Sequence, residues 1–204
     1  MSAEAPSRNA SGNLLSVATK DRAGVTAPQY DVAEIRVTVP QKLRVSEANM
    51  FYPLADIVWR GEARGNRHAQ VKAIIEEGLN RGTAAMTQGR AVVVEAEVTR
   101  FHSLTEKTRY TVGGTHSVHF ELTLRDAQTG VVIDGPRHVN ASVKGAGGAV
   151  AIAEEQAGRS MRVVIVEQLA AVIAAELAKP VPLAEDGPTS QGTIQPNAGL
   201  GALY

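Results

Sequence analysis

RAVVVEAEVTRFHSLTEKTRYTVGGTHSVHFELTLRDAQTGVVIDGPRHVNASVK, residues 90–144, decides the fold. Side-chain character alternates through most of it, the period of strands with one buried and one wet face. Between Val92 and Phe101, Val92, Val94, Ala96 and Val98 point one way, and Val93, Glu95, Glu97 and Thr99 the other. The valines therefore face a core and the carboxylates face water, balanced by Arg100 and Lys144. A charged link, Ser103 to Lys107, leads to Thr108 to Val112. The pair Gly113-Gly114 suits a bulge or a reversal with positive φ. Val118, Phe120, Leu122 and Leu124 then face inward, against Ser117, His119, Glu121 and Thr123. Asp126 to Gly130 reads as a hairpin turn. Val131 to Ile133 follow, Gly135-Pro136 interrupts, and Val139, Ala141 and Val143 complete a further strand.

Upstream, Val32, Ile35, Val37 and Val39 give a mostly alternating first strand that Pro40 ends, and Val45 begins a small extra element. From Asn66 the period changes. Val71, Ile74, Ile75, Gly78 and Leu79 make one face of an amphipathic helix, with Asn66 as N-cap and Gly82 as its stop. Downstream, Gly145-Ala-Gly-Gly148 is a hinge into one long helix from about Val150 to Ala178. Its stripe is Met161, Val164, Ile165, Leu169, Val172, Ile173 and Leu177, and Pro180 and Pro182 stop it. The order strand, helix, three or four strands, helix predicts an α+β two-layer domain over residues 30–179. Its sheet is mostly antiparallel and two helices pack on one face. Residues 1–29 read as an N-terminal arm or tether and residues 180–204 as a C-terminal tail, with Leu14, Leu15, Val17 and the final LGALY as docking candidates within them.

The chain has 204 residues, 44% hydrophobic and 21% charged, an ordinary globular balance. Lys+Arg and Asp+Glu are both 21, so there is no strong positive field for nucleic acid or an anionic membrane. There is no Cys, which excludes disulfides, thiolate metal sites and a cysteine nucleophile. No run approaches the roughly 18–20 apolar residues of a membrane span. The first residues, MSAEAPSRNASGN, hold no apolar signal core.

The pattern offers little chemistry. His116 and His119, three apart on a strand, point to opposite faces and read as surface or interface histidines, not as metal ligands. Glu95 and Glu97 share a wet face where nothing raises a pKa for acid–base work. The glycine-rich turn at 145–148 has no Lys-Ser/Thr at its end and no strand–helix–strand unit around it, so it is not a phosphate loop. No Gly-x-Ser-x-Gly motif or Ser/His/Asp grouping can be placed. Arg60, Arg64, Arg67, Arg100, Lys107 and Arg109 lack the regular aromatic interleaving of an RNA-binding sheet. The expectation is a protein without catalytic residues, cofactor or metal. Aromatic residues are only 4% of the chain, yet Phe51, Tyr52 and Trp59 cluster, and Tyr110 adjoins Arg109. Aromatic and Arg anchors are enriched in protein interfaces, so Tyr52, Trp59, Arg60, Arg109 and Tyr110 are the candidate interaction surface. The competing reading has Trp59 and Phe51 closing the open side of the core.

VSEANMFYPLADIVWRGEARGNRHAQVKAIIEEGL and VTRFHSLTEKTRYTVGGTHSVHFELTLRDAQTG resemble an uncharacterised family of small bacterial envelope lipoproteins. The likeness covers Tyr30 to Lys179, with SEANxFYP, DIVWR, RHAQV and TRYTVGG its distinctive runs. More distantly, the element order is similar to the anticodon-binding-like fold of periplasmic lipoproteins. The resemblance implies a signal peptide ending in a lipidated Cys, which this chain lacks. That departure fits a mature chain cut just after such a Cys, and fits a cytoplasmic protein equally well. The resemblance brings no catalytic residues. The expected function is a non-enzymatic subunit or adaptor of a larger assembly at the periplasmic side of the outer membrane. Its partners would be other envelope proteins or copies of itself, and a membrane reached through a lipid on a residue outside this sequence. The alternative is a module for a small ligand or peptidoglycan fragment, using loop 104–115 with Trp59, Arg109 and Tyr110.

Overall fold

In the computed structural model, which describes residues 30–179, the alternating stretch becomes the centre of one mixed sheet. In chain order the elements are β1 (Tyr30–Thr38), β2 (Ile57–Val58), α1 (Arg67–Thr83), β3 (Arg90–His102) and α2 (Glu106–Arg109). Then come β4 (Gly114–Asp126), β5 (Val132–Asn140), β6 (Val143–Gly145), α3 (Gly148–Gln156) and α4 (Met161–Leu177). The sheet order is β1-β3-β4-β5, with β2 beside β3 and β6 beside β4. β3 and β4 run antiparallel from Val92↔Asp126 to His102↔Ser117. The fold is α+β, as the pattern predicts, with Ile74, Phe120 and Leu169 in one core.

That core is the helix-facing side of the sheet. Val92, Val94, Val98, Val118, Phe120, Leu122 and Leu124 are buried beneath Val71, Ile74 and Leu79 of α1 and Ile165, Leu169 and Ile173 of α4. Each such side chain removed from water stabilises the fold by about 1.5–3 kcal/mol. The opposite face keeps its polar character. There Glu95 pairs with Arg125 (2.7 Å) and Arg36 (3.6 Å), not with Arg100 and Lys144.

β1 lies parallel to β3, with α1 in the crossover, and β3, β4 and β5 pair antiparallel. After the charged link, Thr105 accepts a hydrogen bond from the Thr108 N–H and caps the short turn α2. Other local expectations are corrected. The segment after Gly148 is two helices. Gly158 takes φ +81° and Ser160 caps α4 by accepting from the Val163 N–H, so the chain breaks and restarts. Gly135-Pro136 does not end its strand. β5 continues through it at the sheet edge, where a residue without an N–H is tolerated. Asn66 does cap α1, and Gly130 does take the left-handed position, φ +72°. The tether and tail assignments lie outside the described residues.

Gly82 is not a stop; α1 runs on to Thr83. With Gly78 it forms the flat spot where α1 meets α4: a Cβ on Gly78 would overlap Leu169, and one on Gly82 would overlap the Ala170 backbone. We predict that Gly82→Ala costs about 1–3 kcal/mol of stability by overpacking, despite the roughly 1 kcal/mol helix propensity it gains. Urea denaturation measures this, and a neutral or stabilised variant would contradict the close approach.

Candidate interaction surface

The segment joining β1 to α1 is mostly irregular, and it is held by buried charge. Arg67, at the start of α1, is only 4% exposed. Its guanidinium donates to both carboxylate oxygens of Glu47 (2.7 and 3.1 Å), to the carbonyls of Glu62 and Ala63, and to Gln70 Oε1. Arg60 donates to the Glu47 carbonyl (2.6 Å) and to the Glu106 carboxylate. Arg162 of α4 reaches Glu62 and Glu77. These guanidinium bonds hold both Glu47 and Glu106 below the usual carboxylate range. Arg67 is the buried member of the Glu47 pair, so removing Glu47 would leave its guanidinium uncompensated inside the fold. Glu47, Arg60, Glu62, Arg64, Arg67 and Glu106 line a basin of about 380 Å³. Three positive and three negative groups cancel there.

Next to the clasp the loop is stitched to α2. Asn49 Oδ1 accepts from the Lys107 N–H, and the carbonyls of Met50 and Phe51 accept from the hydroxyls of Thr105 and Thr108. The Lys107 ammonium sits 4.6 Å from the centre of the Phe51 ring. On its other side α2 meets α3: Arg109 donates to the Ala151 carbonyl (3.4 Å) and pairs with Glu155, to which the Tyr110 hydroxyl also donates (2.9 Å). Loop, α2 and α3 thus share one end of the molecule. With their backbone polar groups tied inward, they leave large apolar side chains outside. Leu54 is 85% exposed and Val112 75%. Met50, Phe51, Tyr52, Tyr110, Val150 and Ile152 are exposed as well.

The predicted site residues divide. Tyr52 and Tyr110 are on this exposed end. Tyr52 stacks on His102 at 4.5 Å and its hydroxyl accepts from Arg100. Trp59 and Arg109 are buried and can offer no surface. Trp59 stands edge-on to Phe101 in the core, and Gly61 lies against its indole, where any Cβ would collide. Arg60 belongs to the clasp. Phe51 lies outside the core, so only the Trp59 half of the core-closing alternative holds. Leu54, Val112, Val150 and Ile152 carried no sequence signal, because an exposed apolar residue in a loop or a short helix has no period. Glu47 and Arg67 were inside the distinctive SEANxFYP and RHAQV runs, and a pairing across about twenty positions is not legible there.

The histidines also divide. His116 is not on the surface; it is fully buried on the helix side. Its Nδ1 shares a 2.8 Å hydrogen bond with Ser103 Oγ, and its Nε2, packed against Gly145, has no partner among the described residues. Burial, helped by the Arg109 charge, lowers its pKa to about 4. His119 is on the open face, in a hydrogen-bonded row that the sequence reading did not place. The Glu121 carboxylate can only accept, so His138 Nδ1 donates to it (3.1 Å). His138 Nε2 then accepts from His119 Nδ1 (3.1 Å), and His119 Nε2 accepts from the hydroxyl of Ser117 (3.0 Å) or Ser142 (3.3 Å). Among the described residues no group of three or more His, Asp or Glu is arranged to hold a metal ion.

A model of the family of unknown function DUF6778 matches residues 30–192, most of the chain. The protein belongs to that family. No curated protein matches the DUF6778 chain. Among solved structures it is similar to a DUF330-family protein of Xanthomonas campestris, with 11% identity, 74% of this chain and 85% of that chain covered, and a TM-score of 0.43. It is also similar to a Caulobacter crescentus protein described as a "putative lipoprotein", with 16% identity, 71% and 87% covered, and a TM-score of 0.34. Likeness at this level specifies neither activity nor ligand. No helix among the described residues is long and apolar enough to cross a membrane.

His116 makes a pH prediction. It stays neutral in the fold down to about pH 4, whereas an unfolded histidine takes its proton near 6.5. The unfolded state therefore binds more protons between these values, and stability falls as pH drops from about 6.5 to about 4. Denaturation of His116→Asn beside the natural chain over this range should show a flatter profile for the variant. Parallel profiles would contradict a neutral buried imidazole.

Proposed function

We propose that this DUF6778 protein is a non-enzymatic docking subunit of the bacterial cell envelope, which presents the apolar end of its domain to a partner protein. The carrying observation is that end itself: Met50, Phe51, Tyr52 and Leu54 on one loop, with Tyr110, Val112, Val150 and Ile152 across α2 and α3. A soluble domain gains nothing from keeping such residues in water, and grouped exposed apolar side chains mark contact sites. The clasp beneath them supports the same reading, since a loop held before binding loses less entropy on binding. The envelope location, with a lipid-anchored tether on the periplasmic side of the outer membrane, rests on the resemblance of the SEANxFYP, DIVWR, RHAQV and TRYTVGG runs. The small-ligand or peptidoglycan-fragment reading has less support. Trp59 and Arg109, which it needs, are buried, and the donors of Arg67 in the neighbouring basin are taken by the protein's own acceptors.

The test is a pair of surface charges, Leu54→Asp with Val112→Asp, which fall on exposed positions and should change stability by less than about 0.5 kcal/mol. Chemical crosslinking in native envelopes should yield a defined adduct with the natural chain and lose it with the double variant. Retention of the same adduct would contradict docking through this end. The non-enzymatic part is checked with activated esters. Hydrolysis should be equal for the natural chain and Ser117→Ala, and a burst dependent on Ser117 would overturn it.

A further inference from the structure

We propose that a second surface, the outer edge of β1, pairs with the same edge of a second copy of this chain, antiparallel about a two-fold axis at Ile35. β1 is an end strand of the sheet. Among the described residues its outer edge is occupied only at the start, where Asp31 bridges to Thr87 and the Val32 N–H donates to the Met86 carbonyl (3.0 Å). From Ala33 to Thr38 no backbone partner lies on that edge among the described residues. An unpaired edge is a template for another strand unless it is blocked. The opposite edge, β5, is blocked: Pro136 has no N–H, and the register with β4 slips twice nearby. The bulge of β1, at Ala33, comes before its regular part and leaves Glu34 to Thr38 in even register with β3.

The side chains select the occupant and the register. Glu34, in register with Val93, and Arg36, in register with Glu95, project on the open face, while Ile35 and Val37 face the helices. In an antiparallel pair of β1 strands centred on Ile35, Glu34 of each copy stands directly opposite Arg36 of the other. Opposite charges in that position attract. Moving the centre to Arg36 would set two guanidiniums against each other, and moving it to Glu34 would set two carboxylates against each other. On the other face the two Ile35 side chains meet beside a groove of about 160 Å³ that runs between β1 and the end of α1, past Asn80, Thr83 and Met86. The existing Glu34–Arg36 contact within one strand (2.6 Å) is exposed and is exchanged for the pair across the axis. A two-fold contact of this kind closes on itself, so the product is a dimer and not a fibre. The paired stretch is short, so the dimer is weak and depends on concentration.

Light scattering on the full chain over a concentration series should move from the monomer mass to twice that mass. Glu34→Arg leaves the edge all positive and Arg36→Glu leaves it all negative. Each variant should stay monomeric alone, with an unchanged circular dichroism spectrum, and an equimolar mixture should give a one-to-one heterodimer. A second measurement uses the absence of native cysteine. Ile35→Cys should form a symmetric disulfide dimer on mild oxidation, while Ala33→Cys, displaced from its own copy along the strand, should not. The proposal is overturned if the natural chain stays monomeric up to millimolar concentration. It is equally overturned if the charge variants dimerise as the natural chain does, if mixing them adds no heterodimer, or if both cysteine variants crosslink alike.

Discussion

One face of the sheet cannot remain in water. Val92, Val94 and Val98 on β3 and Val118, Phe120, Leu122 and Leu124 on β4 put a continuous apolar surface on one side of two adjacent strands. α1 and α4 are the only long helices among the described residues, and both are spent on covering it. They must lie close together to do so, which is why Gly78 and Gly82 meet Leu169 and Ala170 with no side chain between. Area removed from water drives this arrangement, and the ion pairs only refine it. Every other feature is arranged around a sheet that has one side closed and the other open.

The open side and the two ends then take different roles. The flat face carries pairs such as Glu95–Arg125 and the row Ser117–His119–His138–Glu121, which tie neighbouring strands together where no helix protects them. At one end a long connection with little regular structure must still be fixed in place. Ile57, Val58 and Trp59 anchor its middle by packing, and the Glu47–Arg67 pair ties the stretch before them to the start of α1. What that end keeps outside is unusually apolar, which sets it apart from the polar open face.

Period made the fold legible. Strand alternation in residues 90–144 and the helical stripes of α1 and α4 follow from burial on one side, and the structure keeps them. Direction and interruption were not legible: nothing in YDVAEIRVT says that β1 runs parallel to β3, and Gly158 and Ser160, just before the α4 stripe, were passed over inside one predicted helix. The candidate surface was half legible. Aromatic residues near arginine marked the right end of the molecule, but composition alone could not tell Tyr52, outside, from Trp59, inside. That distinction depends on Gly61 leaving room for the indole and on α2 and α3 enclosing Arg109. The Glu47–Arg67 and His119–His138 contacts join residues about twenty positions apart, and no local rule predicts them.

The account rests on the apolar end being covered when the protein is at its place of work. Hydroxyl-radical footprinting of the chain in native envelopes, beside the purified chain, tests this directly, because Met50, Phe51, Tyr52 and Leu54 are readily labelled when exposed. The account predicts that labelling of these four residues drops in the envelope while that of Val131 and Val132, exposed at the far hairpin, is unchanged. Equal labelling of the loop in both settings would contradict it.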